Sequence, residues 1–304
     1  MTAERPPALS VIIAAYNAEA TLAAQLHALR RERSALSFEV LICDNGSTDG
    51  TPELVRRMAP GAPSMRLIDA SARRGPAAAR NIGAETAVGE VLLFCDADDV
   101  IALGWVETMG KAAAAADLVA GRLEGRALNR GRRTSVSWEV SSEITVAYWP
   151  RYPAAATSNL AVRTSAFRAV GGFDEHLGTG EDVDLCWRIQ RAGFSFARAP
   201  QAVVHSRQRE GVRAVFRQSY SYAAGHRALR IKYARLIDAQ PLPAAPPISA
   251  EDGAPPLPVE PLILRLRRAA LSRAGQANLA WRLGELLGSR FGRVHPDVGP
   301  LAPD

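Results

Sequence analysis

Strand and helix patterns alternate through the first third of the chain, and this alternation limits the fold more than any other feature. Apolar runs that predict strands are separated by segments with helical spacing or a high alanine content, and the runs are residues 9–14, 38–43, 65–69 and 91–95. Alternation of this kind is typical of a sheet that is mostly parallel, with right-handed crossover helices. The expected fold class is therefore α/β, with a mostly parallel central sheet flanked by helices.

The fourth apolar run ends abruptly in three carboxylates, Asp96, Asp98 and Asp99. The run is continuous, which predicts a strand that is buried on both faces. Ligands of open α/β sheets bind outside the carboxyl ends of the strands, and clustered carboxylates repel one another unless a cation lies between them. Hard oxygen ligands suit Mg²⁺ or Mn²⁺. The alternative is a polar turn in which Asp99 caps the following helix.

Polar loops also follow the first two strands. Tyr16 and Asn17 come after the first strand, and Asp44 and Asn45 begin a turn-rich loop after the second. Asn17 is predicted to cap the next helix. Because the carboxyl ends of parallel strands meet at one edge, these loops are expected to converge with Asp96.

A second acidic stretch lies much later in the chain. A glycine-bearing loop ends at Gly180, and a largely buried helix is predicted from Glu181 to about residue 192, with Asp182 in its first turn. Acids in a first turn also stabilise the helix dipole, so this pattern alone leaves a purely structural role open. A strand predicted over 202–205 ends in His205, which by itself is more typical of a polar strand edge than of a ligand.

Composition narrows the location and the partners. The chain has 304 residues and a net charge of +6, which permits an anionic substrate, a membrane surface or nucleic acid. Its basic residues are scattered without interleaved aromatic residues, so nucleic-acid binding is not expected. The three cysteines form no metal-binding spacing, and neither a signal peptide nor a membrane-spanning run is recognisable. We therefore expect a cytoplasmic protein with reduced thiols.

The predicted organisation has four parts: an α/β domain over 1–207, a helical extension over 208–239, a linker rich in proline and alanine over 240–261, and a basic helical tail over 262–304. Residues 262–291 of this tail carry six arginines against the single acid Glu285. Such a segment can lie on the anionic inner face of a membrane, dock a partner, or pack as a solvated face on the main domain.

In this order the motifs resemble those of the family 2 glycosyltransferases, which have the GT-A fold. The resemblance covers about residues 9–207, and its pieces are residues 10–17, 39–51, 75–81, 96–99 (the Asp-x-Asp, or DXD, motif), 171–175 and 180–182. It implies an inverting, divalent-metal-dependent transfer of a glycosyl group from a nucleotide-diphosphate sugar to an acceptor hydroxyl.

The resemblance also implies the nucleotide contacts. Ala14, Tyr16, Asp44 and Asn45 would hold the base, and Arg80 would lie near the base or the phosphates. Two residues depart from the family pattern, because the family's proline after the first strand is Ala14 here, and an aspartate found in many members is Asn45. An amide can accept or donate a hydrogen bond, so UDP, TDP and GDP donors all stay open.

For the chemistry itself, the resemblance implies a metal site and a base. Asp96 would face the ribose and the metal, Asp98 would ligate the Mg²⁺ or Mn²⁺ ion, and His205 would be a third metal ligand. Asp182 would be the catalytic base with Glu181 beside it. One positioned base and direct displacement would invert the anomeric configuration.

Two other functions compete with this interpretation. A nucleotidyltransferase that makes nucleotide sugars would need a glycine-rich, arginine-bearing loop directly after the first strand, where this chain has Ala15-Tyr16-Asn17. A non-catalytic nucleotide-sugar-binding protein could share the fold, although the intact Asp96, Asp98 and Asp182 argue against it.

Overall fold

The computed structural model describes residues 8–129, 143–144, 149, 151–238 and 273–301. Its strands are β1 (Leu9–Ala15), β2 (Phe38–Asp44), β3 (Ser64–Asp69), β4 (Val91–Phe94), β5 (Val100–Ile101), β6 (Leu118–Glu124), β7 (Glu143–Ile144), β8 (Ala154–Ala155), β9 (Leu160–Arg163) and β10 (Phe196–His205). Its α-helices are α1 (Glu19–Arg31), α2 (Thr51–Met58), α3 (Pro76–Thr86), α4 (Trp105–Ala115), α5 (Thr164–Ala169), α6 (Glu181–Arg191), α7 (Val212–Lys232), α8 (Ala234–Asp238) and α9 (Arg273–Phe291).

Eight strands form the central sheet in the order β3-β2-β1-β4-β9-β6-β10-β5. The first four run parallel, and so do β6 and β10. Strand β9 is antiparallel to both of its neighbours, and the short β5 is antiparallel to β10. The predicted α/β class with a mostly parallel sheet is confirmed, and β9 and β5 are the antiparallel exceptions within the described sheet.

Strand β4 lies inside the sheet between β1 and β9, and all four of its residues are buried. The continuous apolar run is therefore explained by packing on both faces, as predicted. The strand ends at Phe94, and the buried Cys95 leads into the acidic turn that begins at Asp96. A buried central strand thus delivers the carboxylates to the edge of the sheet.

The prediction that Asn17 caps the first helix is wrong. Helix α1 begins at Glu19, its N-cap residue is Ala18, and this cap makes no side-chain hydrogen bond. Asn17 instead has a positive φ of 49°, and its Oδ1 accepts a hydrogen bond from the backbone N–H of Thr48, at 2.8 Å. The side chain therefore joins two loops instead of capping the helix.

The pattern of residues 157–162 predicts a further strand, and the observed strand is shorter. Residues Thr157–Asn159 form one turn of 3₁₀-helix, and the strand begins only at Leu160. The side chain of Asn159 is fully buried, donates to the carbonyls of Arg122 and Ala202, and accepts from the indole N–H of Trp105. These three bonds hold the turn against two strands, which explains why the chain is not extended there.

The described residues divide into two compact units. The first contains the central sheet and ends at Gln208, and the second contains Trp149 with residues 209–238 and 273–301. Within the second unit α9 packs closely on α7 through glycines, since a Cβ at Gly288 would lie 2.3 Å from the carbonyl oxygen of Tyr220. The C-terminal helical extension that the sequence predicts is therefore present.

Two predicted parts of the chain lie outside the described residues, namely the whole 240–261 linker and residues 262–272 and 302–304 of the basic tail. The boundaries of the four parts stay predictions. Among the described helices, none combines the length and the apolar content that crossing a membrane requires.

Candidate active site

The loops that follow β1 and β2 are joined by hydrogen bonds. The backbone N–H of Asn17 donates to Oγ of Ser47 at 2.9 Å, and the N–H of Thr48 donates back to Oδ1 of Asn17. The N–H of Ala18 donates to the buried Oγ1 of Thr51 at 2.8 Å. The two loops that would hold the nucleotide base therefore form one hydrogen-bonded surface at the carboxyl edge of the sheet.

Three of the predicted base contacts lie on this surface. Tyr16 is 63% exposed, and Ala14 is partly buried beneath the loop. Asp44 accepts a hydrogen bond from the N–H of Ser47 on Oδ2, at 3.3 Å. Its Oδ1 is buried and receives no hydrogen bond from the residues that the structure describes. A buried acceptor without a donor is costly, so Asp44 is ready to accept a hydrogen bond from a ligand.

Asn45, the fourth predicted base contact, is instead occupied within the protein. Its Nδ2 donates to the carbonyls of Ala70 and Arg73, at 2.6 Å and 2.7 Å, and its Oδ1 accepts from the N–H of Gly75 at 2.8 Å. These bonds fasten the segment between β3 and α3 to the end of β2. The geometry shows that Asn45 holds a loop in place, and its contact with a base stays a prediction.

Arg80 connects the two acidic stretches. Its Nη2 lies 2.9 Å from Oδ1 of Asp96 at the end of β4, and its Nη1 lies 2.9 Å from Oε1 of Glu181 at the start of α6. The arginine side chain is only 7% exposed, and its guanidinium carbon lies 5.8 Å from the centre of the Phe173 ring. A buried arginine thus brings together carboxylates that are 85 positions apart in sequence (181 − 96).

At the start of α6, Glu181 is buried and Asp182 is partly buried. Burial, and next the negative charge of Asp182, raise the pKa of Glu181 to about 7, although Arg80 opposes the shift. Burial also raises the pKa of Asp182, whose Oδ1 accepts the N–H of Val183 at 2.8 Å. A carboxylate with a raised pKa is a stronger base than one in water, which suits the removal of a hydroxyl proton.

The loop before α6 is held in place by Asn81. The buried amide of Asn81 donates to the carbonyl of Phe173 and accepts from its N–H, both at 2.9 Å. Gly172 has a φ of +74°, and a Cβ there would lie 2.7 Å from Oδ1 of Asn81, so the close approach requires glycine. Helix α3 therefore fixes the start of the glycine-bearing loop that leads to Glu181 and Asp182.

Hydrogen bonds from α1 and from the segment after β10 hold the acidic turn that follows β4. The fully buried Gln25 of α1 accepts the N–H of Ile101 on its Oε1 at 2.9 Å, and its Nε2 lies 3.4 Å from the Asp96 carbonyl. The backbone N–H of Arg207 donates to Oδ1 of Asp99 at 2.7 Å, and its Nε donates to the carbonyl of Asp98 at 2.9 Å. The turn is thus fixed to the end of β10.

Negative charge is concentrated in this turn. Burial, and then the charges of Asp96 and Asp98, raise the pKa of Asp99 well above its usual range. Asp99 faces into the protein, so Asp96 and Asp98, which are both partly exposed, are the acids that a ligand can reach. Their carboxylates can attract a cation to this edge of the sheet.

His205 ends β10 and pairs with a carboxylate that the sequence did not reveal. Its Nδ1 lies 2.7 Å from Oε2 of Glu124, which occupies the matching register position on the parallel strand β6. Burial raises the pKa of Glu124, but hydrogen bonds from His205 and from the N–H groups of Arg126 and Ala127 outweigh it and lower the pKa below its usual value. An ionised Glu124 accepts a hydrogen bond from the Nδ1–H group of His205. The other ring nitrogen, Nε2, is then the atom available to a ligand.

The donor set fits a divalent cation in its chemistry. Carboxylates and an imidazole held by a second carboxylate are ligands typical of Mn²⁺ and related ions. The ligand atoms of Asp96, Asp98 and His205 do not all lie within 4.8 Å of one another among the described residues. Binding through all three would therefore require side chains of the site to move closer together.

Two residues of the site were missed in the sequence, Glu124 and Arg207. The apolar pattern of residues 117–121 predicts a strand that ends three residues before Glu124, whereas β6 continues to Glu124. Extending the apolar pattern through Leu123 would have placed Glu124 at the same edge as His205. Arg207 carries no local signal, since its bonds depend on contacts with residues more than a hundred positions away.

Comparison with known families agrees with this geometry. The model of the glycosyl transferase family 2 matches residues 10–171, and that of the glycosyl transferase family group 2 matches residues 112–287. The first match covers more than half of the chain and includes both loops of the base surface, Arg80 and the DXD turn.

Among curated relatives, the glycosyltransferase AglE of Haloferax volcanii is 31% identical over 205 residues, which is 65% of this chain and 66% of that protein. The pre-mycofactocin glycosyltransferase of Mycobacterium tuberculosis is 30% identical over 177 residues, which is 53% of this chain and 36% of that protein. The chain thus spans about two thirds and about one third of the lengths of these relatives.

Solved structures share the fold. The mannosyltransferase PcManGT of Pyrobaculum calidifontis, solved with GDP-Man and Mn²⁺, has a TM-score of 0.63 at 20% identity, covering 95% of this chain and 88% of that one. Staphylococcus aureus TarS (residues 1–349), solved with UDP-GlcNAc, has a TM-score of 0.51 at 19% identity, covering 92% and 90%. The predicted GT-A fold is confirmed by these likenesses, and with the match over residues 10–171 the chain belongs to glycosyl transferase family 2.

Proposed function

We propose that the protein transfers a glycosyl group from a nucleotide-diphosphate sugar to an acceptor hydroxyl, with inversion at the anomeric carbon and with Mg²⁺ or Mn²⁺ as cofactor. The observation that carries the proposal is the bridge from Asp96 through Arg80 to Glu181. This bridge links the acidic turn to the start of α6, which supports a donor diphosphate at the turn and a base at the helix start.

The base surface supports a donor that contains UDP, TDP or GDP. Oδ1 of Asp44 is a buried acceptor without a protein donor among the described residues. Uracil, thymine and guanine each present a ring N–H that could donate to it, whereas adenine and cytosine have ring acceptors at the corresponding edge. Tyr16 is exposed beside this position and offers a ring on which a base can stack.

Asp98, His205 and Asp96 would hold the divalent cation. When bound, the ion would neutralise charge that develops on the diphosphate leaving group. Two proteins of similar fold were solved with Mn²⁺, the mannosyltransferase with GDP-Man and GalNAc-T7 with UDP and GalNAc, which supports a metal of this class.

Asp182 would accept the proton of the attacking hydroxyl. Burial raises the pKa of Asp182, and Arg80 keeps a positive charge close to the carboxylates of Asp182 and Glu181. Because Glu181 bonds directly to Arg80, its contribution would be to orient and balance that arginine rather than to take the proton. With a single base and no covalent intermediate, the anomeric configuration would invert.

A donor panel tests this proposal. Thermal shifts are measured with UDP-, TDP- and GDP-sugars, each with and without Mn²⁺, and hydrolysis or transfer products are identified by NMR at the anomeric carbon. We expect a metal-dependent shift with at least one donor and a product of opposite anomeric configuration. Release of pyrophosphate from a nucleoside triphosphate would support the nucleotidyltransferase instead, and absence of turnover despite donor binding would support a non-catalytic binder.

We also propose peripheral contact with an anionic lipid surface through α9. Its residues Leu279, Leu283, Leu286 and Leu287 are 36–52% exposed. Their spacing places them within an arc of about 100° on the side opposite the glycines that pack on α7. The exposed Arg282 and Arg290 lie within or beside that arc. Leucines bordered by arginines complement the acyl and phosphate layers of an anionic membrane.

Vesicle co-sedimentation tests this contact. We expect binding to vesicles that contain phosphatidylglycerol, weaker binding to pure phosphatidylcholine, and loss of binding in a Leu283→Glu/Leu287→Glu variant. The matched control is Leu103→Glu, because Leu103 is an equally apolar and more exposed residue of the sheet-containing unit. A concentration-dependent dimer that the double substitution abolishes, without vesicle binding, would contradict the lipid proposal.

A further inference from the structure

We infer that Glu124 is a positioning residue that fixes the ring of His205 for metal binding. The inference rests on the proposed function, because it concerns the same cation site. It adds a residue from a strand that none of the family motifs contains, and it assigns a role to a carboxylate that touches neither the donor nor the acceptor.

The sheet itself holds the pair together. Glu124 and His205 are register partners on the parallel strands β6 and β10, and the N–H of Ser206 donates to the carbonyl of Glu124 at 2.8 Å. The amide of Asn129 donates to the carbonyl of Ser206 at 2.7 Å, so the segment after β6 is tied to the residue that follows His205. Both side chains therefore rise from a backbone that is fixed on two sides.

The carboxylate is fixed as well as the backbone. The N–H groups of Arg126 and Ala127 donate to its two oxygens, and Oε2 also accepts the bond to Nδ1 of His205 at 2.7 Å. Because the carboxylate cannot swing away without losing these bonds, the imidazole is held in one orientation. The His205 and Glu124 side chains are 30% and 21% exposed, which leaves the ring accessible to an ion.

The chemistry of the pair follows from the tautomer. A histidine that donates Nδ1–H to a carboxylate presents the lone pair of Nε2, and this arrangement is found repeatedly behind metal-ligating histidines. Among the three proposed ligands, His205 is the one whose ring is held by a carboxylate, whereas Asp96 is held by its ion pair with Arg80. Removing the carboxylate should therefore weaken metal binding more than it disturbs the fold.

The test measures Mn²⁺ affinity directly, by the loss of the free-ion EPR signal on titration with protein. Glu124→Gln keeps the size of the side chain but has one acceptor oxygen, so it can keep only one of the two backbone N–H bonds. We expect its Mn²⁺ dissociation constant to rise about 10- to 100-fold. Glu124→Asp retains the charge and should lie between this variant and the wild type. The matched control is Glu32→Gln, since Glu32 also accepts backbone N–H bonds, from Gly104 and Val106, but contacts no histidine.

A double-substitution cycle separates positioning from a merely structural role. In the background of His205→Ala, the Glu124→Gln change should have almost no further effect on Mn²⁺ affinity, because the ring it positions is gone. An equal loss in both backgrounds would overturn the inference. If Glu124→Gln bound Mn²⁺ as tightly as the wild type, only the inference about Glu124 would be overturned. If the wild-type protein bound no Mn²⁺, the metal part of the proposed function would be overturned as well.

Discussion

The Nη1 atom of Arg80 lies 2.9 Å from Oε1 of Glu181, so helices α3 and α6 are joined by a buried ion pair at the edge of the sheet. Since Asp96 holds the other arm of the same guanidinium, one positive charge serves two carboxylates. Burying any of these charges without a partner would destabilise the folded state. Arg80 therefore contributes to the stability of the fold as well as to the site.

Replacing Arg80 with methionine should cost about 3–5 kcal/mol of unfolding free energy, because two buried or half-buried carboxylates lose their partner. The measurement is urea denaturation without metal or nucleotide. Arg73→Met is the control, since Arg73 also pairs with two glutamates but is 44% exposed, and surface pairs contribute about 1 kcal/mol or less. Equal losses in the two variants would show that burial of the Arg80 pairs is unimportant.

Asp182→Asn should lower glycosyl transfer by about 10²- to 10⁴-fold and leave donor affinity nearly unchanged, because the amide cannot take the acceptor proton. The measurements are single-turnover transfer and donor binding by calorimetry. The exposed Glu53→Gln serves as the control for loss of one negative charge. Transfer at nearly the wild-type rate in Asp182→Asn would mean that another group is the base.

Without metal and nucleotide, the protein should become less stable as the pH rises from about 4.5 to about 7. The folded state holds the Glu181 proton more tightly than the unfolded state, because burial raises the pKa of Glu181 from 4.5 to about 7. As the pH rises, the unfolded chain therefore loses this proton at a lower pH than the folded protein does. Between the two pKa values the free energy of unfolding falls. Raised pKa values of Asp182 and Asp99 act in the same direction.

Thermal or urea unfolding in EDTA across this pH range measures the effect. Glu181→Gln should flatten the pH dependence, because the substituted side chain does not titrate. Carboxyls whose pKa is lowered, such as Asp117, act mainly below pH 4 and so leave this window unaffected. A slope in Glu181→Gln as steep as in the wild type would assign the titration to other groups.

Asn45→Asp should destabilise the protein by about 1–3 kcal/mol, even though it restores the residue found in many relatives at this position. A carboxylate can accept the Gly75 N–H but cannot donate to the carbonyls of Ala70 and Arg73, which would then face a negative charge. Asn45→Ser, which keeps a donor without the charge, should lose less stability. Unchanged stability in Asn45→Asp would show that the amide bonds do not hold the loop.

The sequence predicted the parts of the fold that depend on local pattern. The buried strand β4, the helix that begins at Glu181, and the convergence of loops at one edge all follow from periodicity and from the geometry of parallel sheets. Long-range partners were not visible. Asn17 has the residue type of a cap but bonds to Thr48, and the pairing of Glu124 with a histidine 81 positions later depends on which strands are neighbours in the sheet.

The same limit applies to Asn45 and Arg80. Both were expected to lie near the nucleotide because the resemblance to the family implied it. In the structure, the bonding groups of Asn45 are used inside the protein, and Arg80 is nearly enclosed by its partners. Side-chain saturation of this kind depends on which elements pack together, so residue identity and spacing could not reveal it.

The joined loops after β1 and β2 have a consequence for engineering. Because Asn17, Ser47 and Thr51 bond across from one loop to the other, a graft that imports only one loop from a relative would meet mismatched donors and acceptors. Attempts to retune which nucleotide is accepted should therefore transplant residues 16–18 and 44–51 as a single cassette.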